Sequence, residues 1–125
     1  MADAPSYDSV RPEEVERGRL LAAIAYLPVL GVVGLLGMPE NRYVGFHARQ
    51  GLLLFLVELV VWAGLAIVHA SIGRIPILGF LIVILLDFVC WMTLLAATVY
   101  GVIKGGSGEM TRLPVLGDYV ERVPF

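Results

Sequence analysis

Phe46-His47-Ala48-Arg49-Gln50-Gly51 runs without a break into Leu52-Leu53-Leu54-Phe55-Leu56-Val57-Glu58-Leu59-Val60-Val61-Trp62 and on to Val68. Nowhere else does a dense polar cluster lead straight into so long an apolar run. The run predicts a helix from about Val44 that ends at His69. Such a helix carries the polar cluster at a membrane surface and Glu58 near mid-depth. This stretch makes the chain a small integral membrane protein.

Composition agrees. The chain has 125 residues, 58% of them hydrophobic and 16% charged, with a mean hydropathy of +0.84. Soluble domains carry about 25% charged residues. This much apolar surface exceeds any core so short a chain can build, so the bilayer must act as solvent for most of it. One domain is the natural count. The net charge is -2 and the chain has no basic stripe, which argues against nucleic acid and against a polybasic lipid-binding arm. Cys90 stands alone in an apolar run, so no internal disulfide and no zinc site is expected, and no cofactor is implied. Asp3, Asp8, Glu13, Glu14 and Glu16 occupy the place of a basic signal-peptide head, so the first apolar run is expected to be retained.

Three apolar segments follow in order. Residues 1–19 form a polar N-terminal tail, disordered to about Ser9, with a short helix from Ser9 or Arg11 favoured by Pro12, Glu13 and Glu14. Residues 20–104 form the membrane domain. Its first segment, Leu20 to Met38, barely spans the hydrocarbon and is interrupted by Pro28, with Gly31, Gly34 and Gly37 beyond. It either crosses as a kinked helix or re-enters as a hairpin. The third segment, Ile77 to Ile103, is long enough to require tilt. In residues 105–125, Gly105-Gly106-Ser107-Gly108 is expected to stop the helix, and Leu113 to Phe125 reads as an interfacial amphipathic helix. The fold class is all-α.

Basic residues bear on topology. They are Arg11, Arg17 and Arg19 before the first segment, Arg42 and Arg49 after it, Arg74 after the second, and Lys104, Arg112 and Arg122 after the third. Three full crossings divide them four against five. A re-entrant first segment divides them eight against one, which would place both termini in the cytoplasm.

Glu58 and Asp87 are carboxyls inside apolar runs with no Lys or Arg beside them. Such residues face a protein interior and are often functional. Counted back from the turn at Arg74, they lie at similar depth on antiparallel helices. His47, Glu58 and His69 repeat every eleven residues and so share one helical face. That face is either a polar seam for protons or a cation, or two interfacial histidines with one buried carboxyl between them. His47 and His69 lie about 33 Å apart along one helix and cannot ligate a single heme within one chain. No nucleophile elbow, phosphate loop or metal motif is present, so an enzyme is not expected.

The order of Phe46-His47-Ala48-Arg49-Gln50 after a short charged loop, with Arg112-Leu113-Pro114 in the tail, resembles a widespread bacterial family of small membrane proteins of unknown function. That family includes the magnetosome proteins MamF and MmsF, and it is distantly similar to the small multi-helix subunit of the chloroplast inner-envelope import machinery. The resemblance covers residues 20–117. It implies a multi-pass protein of the cytoplasmic membrane, or of an intracytoplasmic membrane derived from it. It implies roles in membrane organisation or protein assembly and assigns no chemistry to any residue.

The resulting expectation is a non-catalytic accessory or organising subunit in the lipid bilayer, partnered by another membrane protein or by its own copies. A small proton- or cation-conducting oligomer built on Glu58 and Asp87 is the alternative, and a translocation or assembly factor the third. His47, Arg49 and Gln50 are expected to form a surface cluster that fastens the first loop or the tail.

Overall fold

The structure is a computed structural model that describes residues 10–125, so the disorder expected before Ser9 lies outside the described residues. Among these, every regular element is helical: α1 (Pro12–Ile24), α2 (Gly31–Gly37), α3 (Arg42–Ala70) and α4 (Leu78–Ser107), with 3₁₀ turns at Ile72–Arg74 and Leu116–Tyr119.

Pro12 opens α1, Glu13 and Glu14 occupy its first turn, and the Glu14 carboxylate accepts from the Arg11 N–H at 3.4 Å. The helix enters the first apolar segment and stops at Ile24. Pro28 and the positive φ of 65° at Val29 then turn the chain back into α2. Asn41 closes the hairpin: its Nδ2 donates to the Glu14 carbonyl at 2.8 Å, while its Oδ1 caps α3 by accepting from the Val44 N–H at 3.1 Å. The two ends of residues 20–38 therefore meet. The segment is a pair of short helices that returns to its starting side, and a third full-length apolar helix is absent from the described residues.

The helices α3 and α4 have 29 and 30 residues, about 43 and 45 Å of helix, and both are long and apolar enough to cross a membrane. Only 17% and 6% of their most apolar windows are buried, whereas the core helix of a soluble protein would be mostly covered. They pair antiparallel. Close approach of α1 and the residues just after it to this pair depends on several glycines, Gly51 and Gly101 among them. A Cβ at Gly51 would run into the Ala25 carbonyl, and one at Gly101 into the Tyr26 ring. Through these gaps Tyr26 enters a core with Leu54, Leu94 and Leu113.

Two expectations for the C-terminal part are corrected. The helix does not stop at Gly105, because α4 continues to Ser107 and ends at Gly108, whose φ of 90° suits glycine alone. Nor is the tail an amphipathic helix: residues 109–113 have no regular secondary structure, and only Leu116–Tyr119 makes a short 3₁₀ turn. The physical reason is the tight turn at Pro114-Val115-Leu116, where the φ of 66° at Val115 is incompatible with a helix that starts at Leu113.

One repeat organises the corners. Pro-Val-Leu-Gly, Pro-Ile-Leu-Gly and Pro-Val-Leu-Gly occur at 28–31, 76–79 and 114–117. The β-branched residue has positive φ each time, 65° at Val29, 64° at Ile77 and 66° at Val115. At the last two the Leu N–H donates to the Pro carbonyl at 2.7 Å, a γ-turn of the rarer, strained hand.

Candidate functional site

The Phe46 to Gln50 stretch forms the second and third turns of α3, where α1, α4 and the tail converge. His47 and Gln50 are fully buried rather than at the surface. The His47 Nε2 lies 2.8 Å from the Glu109 carbonyl, an acceptor, so Nε2 carries a proton and donates. Its Nδ1 then accepts from the Tyr26 hydroxyl at 2.5 Å. That hydroxyl accepts in turn from Gln50 Nε2 at 2.6 Å. Gln50 also donates to the Thr111 carbonyl at 3.0 Å and accepts from the Leu113 N–H at 2.8 Å. Tyr43, Phe46 and Tyr26 present their rings edge-on to the imidazole, with centroids at 4.7, 5.1 and 5.6 Å. Tyr43 ties in the end of α4 by donating to the Gly105 carbonyl at 2.6 Å.

The tail motif belongs to the same site. Arg112 sets its guanidinium 5.4 Å from the Phe46 ring centroid, donates to the Gly117 carbonyl and pairs with Glu121 at 2.5 Å. Leu113 supplies the N–H held by Gln50, and Pro114 begins the turn that follows. Arg49 donates from Nε to the Phe125 carbonyl at 2.6 Å. Ala48 is fully buried beside α2. Two motifs sixty residues apart are thus one object, a strap of residues 109–125 fastened across the start of α3. Two ion pairs border it. Hydrogen bonding and charge from Lys104 hold the Glu109 carboxyl below the usual carboxylate range, and the Arg112 guanidinium does the same for Glu121.

Glu58 and Asp87 are not brought together. Glu58 is 3% exposed and accepts from the Thr98 hydroxyl at 3.5 Å. Asp87 faces His69, whose Nε2 lies 3.0 Å from both carboxylate oxygens. The two carboxyls therefore differ in depth by the eleven residues from Glu58 to His69, about 16 Å. The similar depth read from the turn fails because residues 72–77 do not simply reverse the chain. They lie along the first turns of α4, with Gly79 against the Ile72 carbonyl and Val83 against Gly73, which shifts the register. Between the two pairs stand Trp62 and Trp91, with ring centroids 5.9 Å apart. A cavity of about 250 Å³ is lined by Leu27, Pro28, Glu58, Trp62, Trp91 and Thr98 among others. Glu58 Oε2 and Trp62 Nε1 are buried there without a hydrogen-bond partner. No cluster of three potential metal ligands occurs among the described residues.

A UPF0132 membrane protein of Archaeoglobus fulgidus is 31% identical over 102 residues, covering 80% of this chain and 88% of the relative. The chain belongs to the UPF0132 family of membrane proteins. A second UPF0132 membrane protein, from Methanocaldococcus jannaschii, is 29% identical over 94 residues, which cover 75% of this chain and 59% of the longer relative. No family model matches the chain. No solved structure matches it. Membership places the chain among membrane proteins, in keeping with the exposed apolar length of α3 and α4.

Tyr26 and Trp62 have central places that the spacing of the polar residues does not reveal. Tyr26 carried no signal beyond being the one phenol within the first apolar segment. The repeat at residues 28–31, 76–79 and 114–117 was open to inspection and would have located all three corners.

Proposed function

We propose that this UPF0132 protein is a non-catalytic accessory or organising subunit of a membrane assembly. One observation carries the reading: His47 and Gln50 spend their side-chain bonds on the chain's own Tyr26 and strap. Polar groups committed in this way lock a shape and are not themselves presented to a cleft. What the molecule then offers its surroundings is the apolar flank of α3 and α4, a surface for lipid and for other membrane proteins. The resemblance to MamF and MmsF supports an organising role in a cytoplasmic or intracytoplasmic membrane, with a translocation or assembly role as a narrower form of it. The basic residues support cytoplasmic termini on this reading, with Arg74 alone on the far side.

Purification in mild detergent with identification of co-eluting proteins tests the proposal. A stoichiometric membrane partner is the expected result, and a chain that elutes alone under every mild condition would defeat it. Conduction is a second reading, favoured by the unpartnered Glu58 Oε2. It forecasts proton or cation flux in liposomes that Glu58→Gln or Asp87→Asn abolishes.

A further inference from the structure

Along α3 the buried positions Val44, His47, Gly51, Leu54 and Glu58 recur every three or four residues, so they form one stripe. The hairpin of α1 and α2 covers this stripe only as far as its tip, where Leu27 and Pro28 reach Glu58. The same stripe continues through Trp62 and Leu65 to His69, and its partner on α4 continues from Leu94 to Asp87. Nothing in the described chain covers this second half. Trp91 is 52% exposed, and the side chains of His69 and Asp87 are 50% and 31% exposed.

The depth of this polar pair matters. Asp87 lies seventeen residues from Lys104, about 26 Å along the helix. Beyond it Leu86, Leu85, Ile84, Leu81, Phe80 and Leu78 are all exposed and apolar. Along α4 the pair thus has apolar surface on both sides, while on α3 His69 lies in the last turn, close to Ser71 and Arg74. Where this surface meets lipid, the tails offer no hydrogen bond to a half-exposed imidazole or carboxylate, and such groups face protein. Among the described residues only Nε2 of His69 has a bonding partner, the Asp87 carboxylate.

We propose that this face is the interface of a parallel two-fold dimer, in which His69 of each copy meets Asp87 of the other. Charge complementarity selects a second copy as occupant. The surface carries one imidazole and one carboxylate side by side, so it is complementary to itself. A two-fold axis along the membrane normal keeps both residues at their own depth, which brings each opposite its complement. The tryptophans flank the axis and supply apolar contact. The proposal deepens the accessory reading by naming one partner of its exposed helix pair, and it rests on that reading for taking α3 and α4 as a docking surface.

The test uses the full chain in liposomes, carrying Cys90→Ser and Ser107→Cys for labelling with donor or acceptor dye. Energy transfer is followed as the protein is diluted in lipid. Wild type should show transfer above random proximity. Copies with His69→Asp present two carboxyls at the face, and copies with Asp87→His two imidazoles. Each alone should associate about tenfold more weakly. Mixed together, the two variants should pair and regain transfer close to wild type, because acid meets base only across the interface. An internal pair without a dimer gives no such rescue, and misfolded variants give none either. Random-proximity transfer in wild type, or a mixture no better than its components, overturns the dimer. A wild-type monomer that still co-elutes with another membrane protein overturns the dimer while leaving the accessory reading in place.

Discussion

Replacing Gln50 by leucine tests whether the strap is held as the structure indicates. The two side chains are similar in volume, so Gln50→Leu removes hydrogen bonds with little change of shape. Three bonds are lost: Nε2 to the Tyr26 hydroxyl at 2.6 Å, Nε2 to the Thr111 carbonyl at 3.0 Å, and the Leu113 N–H to Oε1 at 2.8 Å. Tyr26 retains His47 as a partner. The Leu113 N–H and the Thr111 carbonyl do not recover theirs, and Leu113 is only 4% exposed. An orphaned buried group costs about 1–3 kcal/mol, and because Thr111 is only half-buried the two together cost about 2–4 kcal/mol. That penalty falls on the docked strap rather than on helix insertion, since a released strap rehydrates both groups. The population with the strap released should rise about 30- to 700-fold. Limited trypsin digestion at Arg112 and Arg122 in detergent measures it, because cleavage follows the open population when reclosing is fast. Arg49→Ala, which removes a contact to the Phe125 carbonyl in an exposed place, should change cleavage by less than about tenfold. A rise below about threefold for Gln50→Leu would refute the strap's dependence on this side chain.

Gly51→Ala should lower thermal stability in detergent by about 2–3 kcal/mol, because its Cβ meets the Ala25 backbone carbonyl, whereas Gly64→Ala, with nothing within 4 Å, should be neutral or slightly stabilising. The strap should loosen in acid. The Glu109 and Glu121 carboxyls are held below their ordinary value of 4.5, so their contribution is complete above that pH and is lost as pH falls through the lower folded values. A nitroxide at Pro124→Cys in a Cys90→Ser chain should sharpen between about pH 5 and pH 3, and an unchanged line shape at pH 3 would count against both ion pairs. Cysteine labelling from each side of the membrane should place positions 49 and 112 together and position 74 opposite. Labelling of 74 from the same side as 49 would defeat the two-crossing topology.

The sequence announced the helices better than it announced their ends. Uninterrupted apolar length fixed α3 and most of α4, because backbone satisfaction in lipid leaves no other choice. Residues 20–38 stayed open between crossing and hairpin, since length argued for one and basic-residue placement for the other. What decides the matter is the bond from Asn41 to the Glu14 carbonyl, a tertiary contact with no sequence signal. Gly105 illustrates the opposite error. Read locally, a glycine after a long helix is a stop. Here a Cβ would meet the Ala22 carbonyl, and the glycine exists to let α1 approach while the helix continues. The tail misled for a related reason. Its apolar residues have helical spacing, but the positive φ at Val115 favours a tight turn over a helix just after the point where Gln50 holds the Leu113 N–H. Periodicity cannot report that competition.

The eleven-residue recurrence of His47, Glu58 and His69 was legible, but its meaning changes with depth. All three lie on one stripe of α3, yet each answers to a different element: His47 to Tyr26 and the strap, Glu58 to Thr98, His69 to Asp87. The first is fully buried, the second nearly so, and the third half exposed. That gradient follows the hairpin of α1 and α2, which is too short to cover the stripe beyond Glu58. A hairpin that ends halfway across the helix pair divides the molecule into a closed half and an open one. In the closed half His47 and Gln50 are bonded within the chain and fix its shape. In the open half the same stripe presents indoles and an acid–base pair to whatever lies alongside. The two halves therefore answer differently to mutation: Gln50→Leu should act on stability and strap release, and changes at His69 or Asp87 on association. A chain whose stripe served as one continuous conduit would not separate these effects, since a defect at any of the three positions would interrupt the same path.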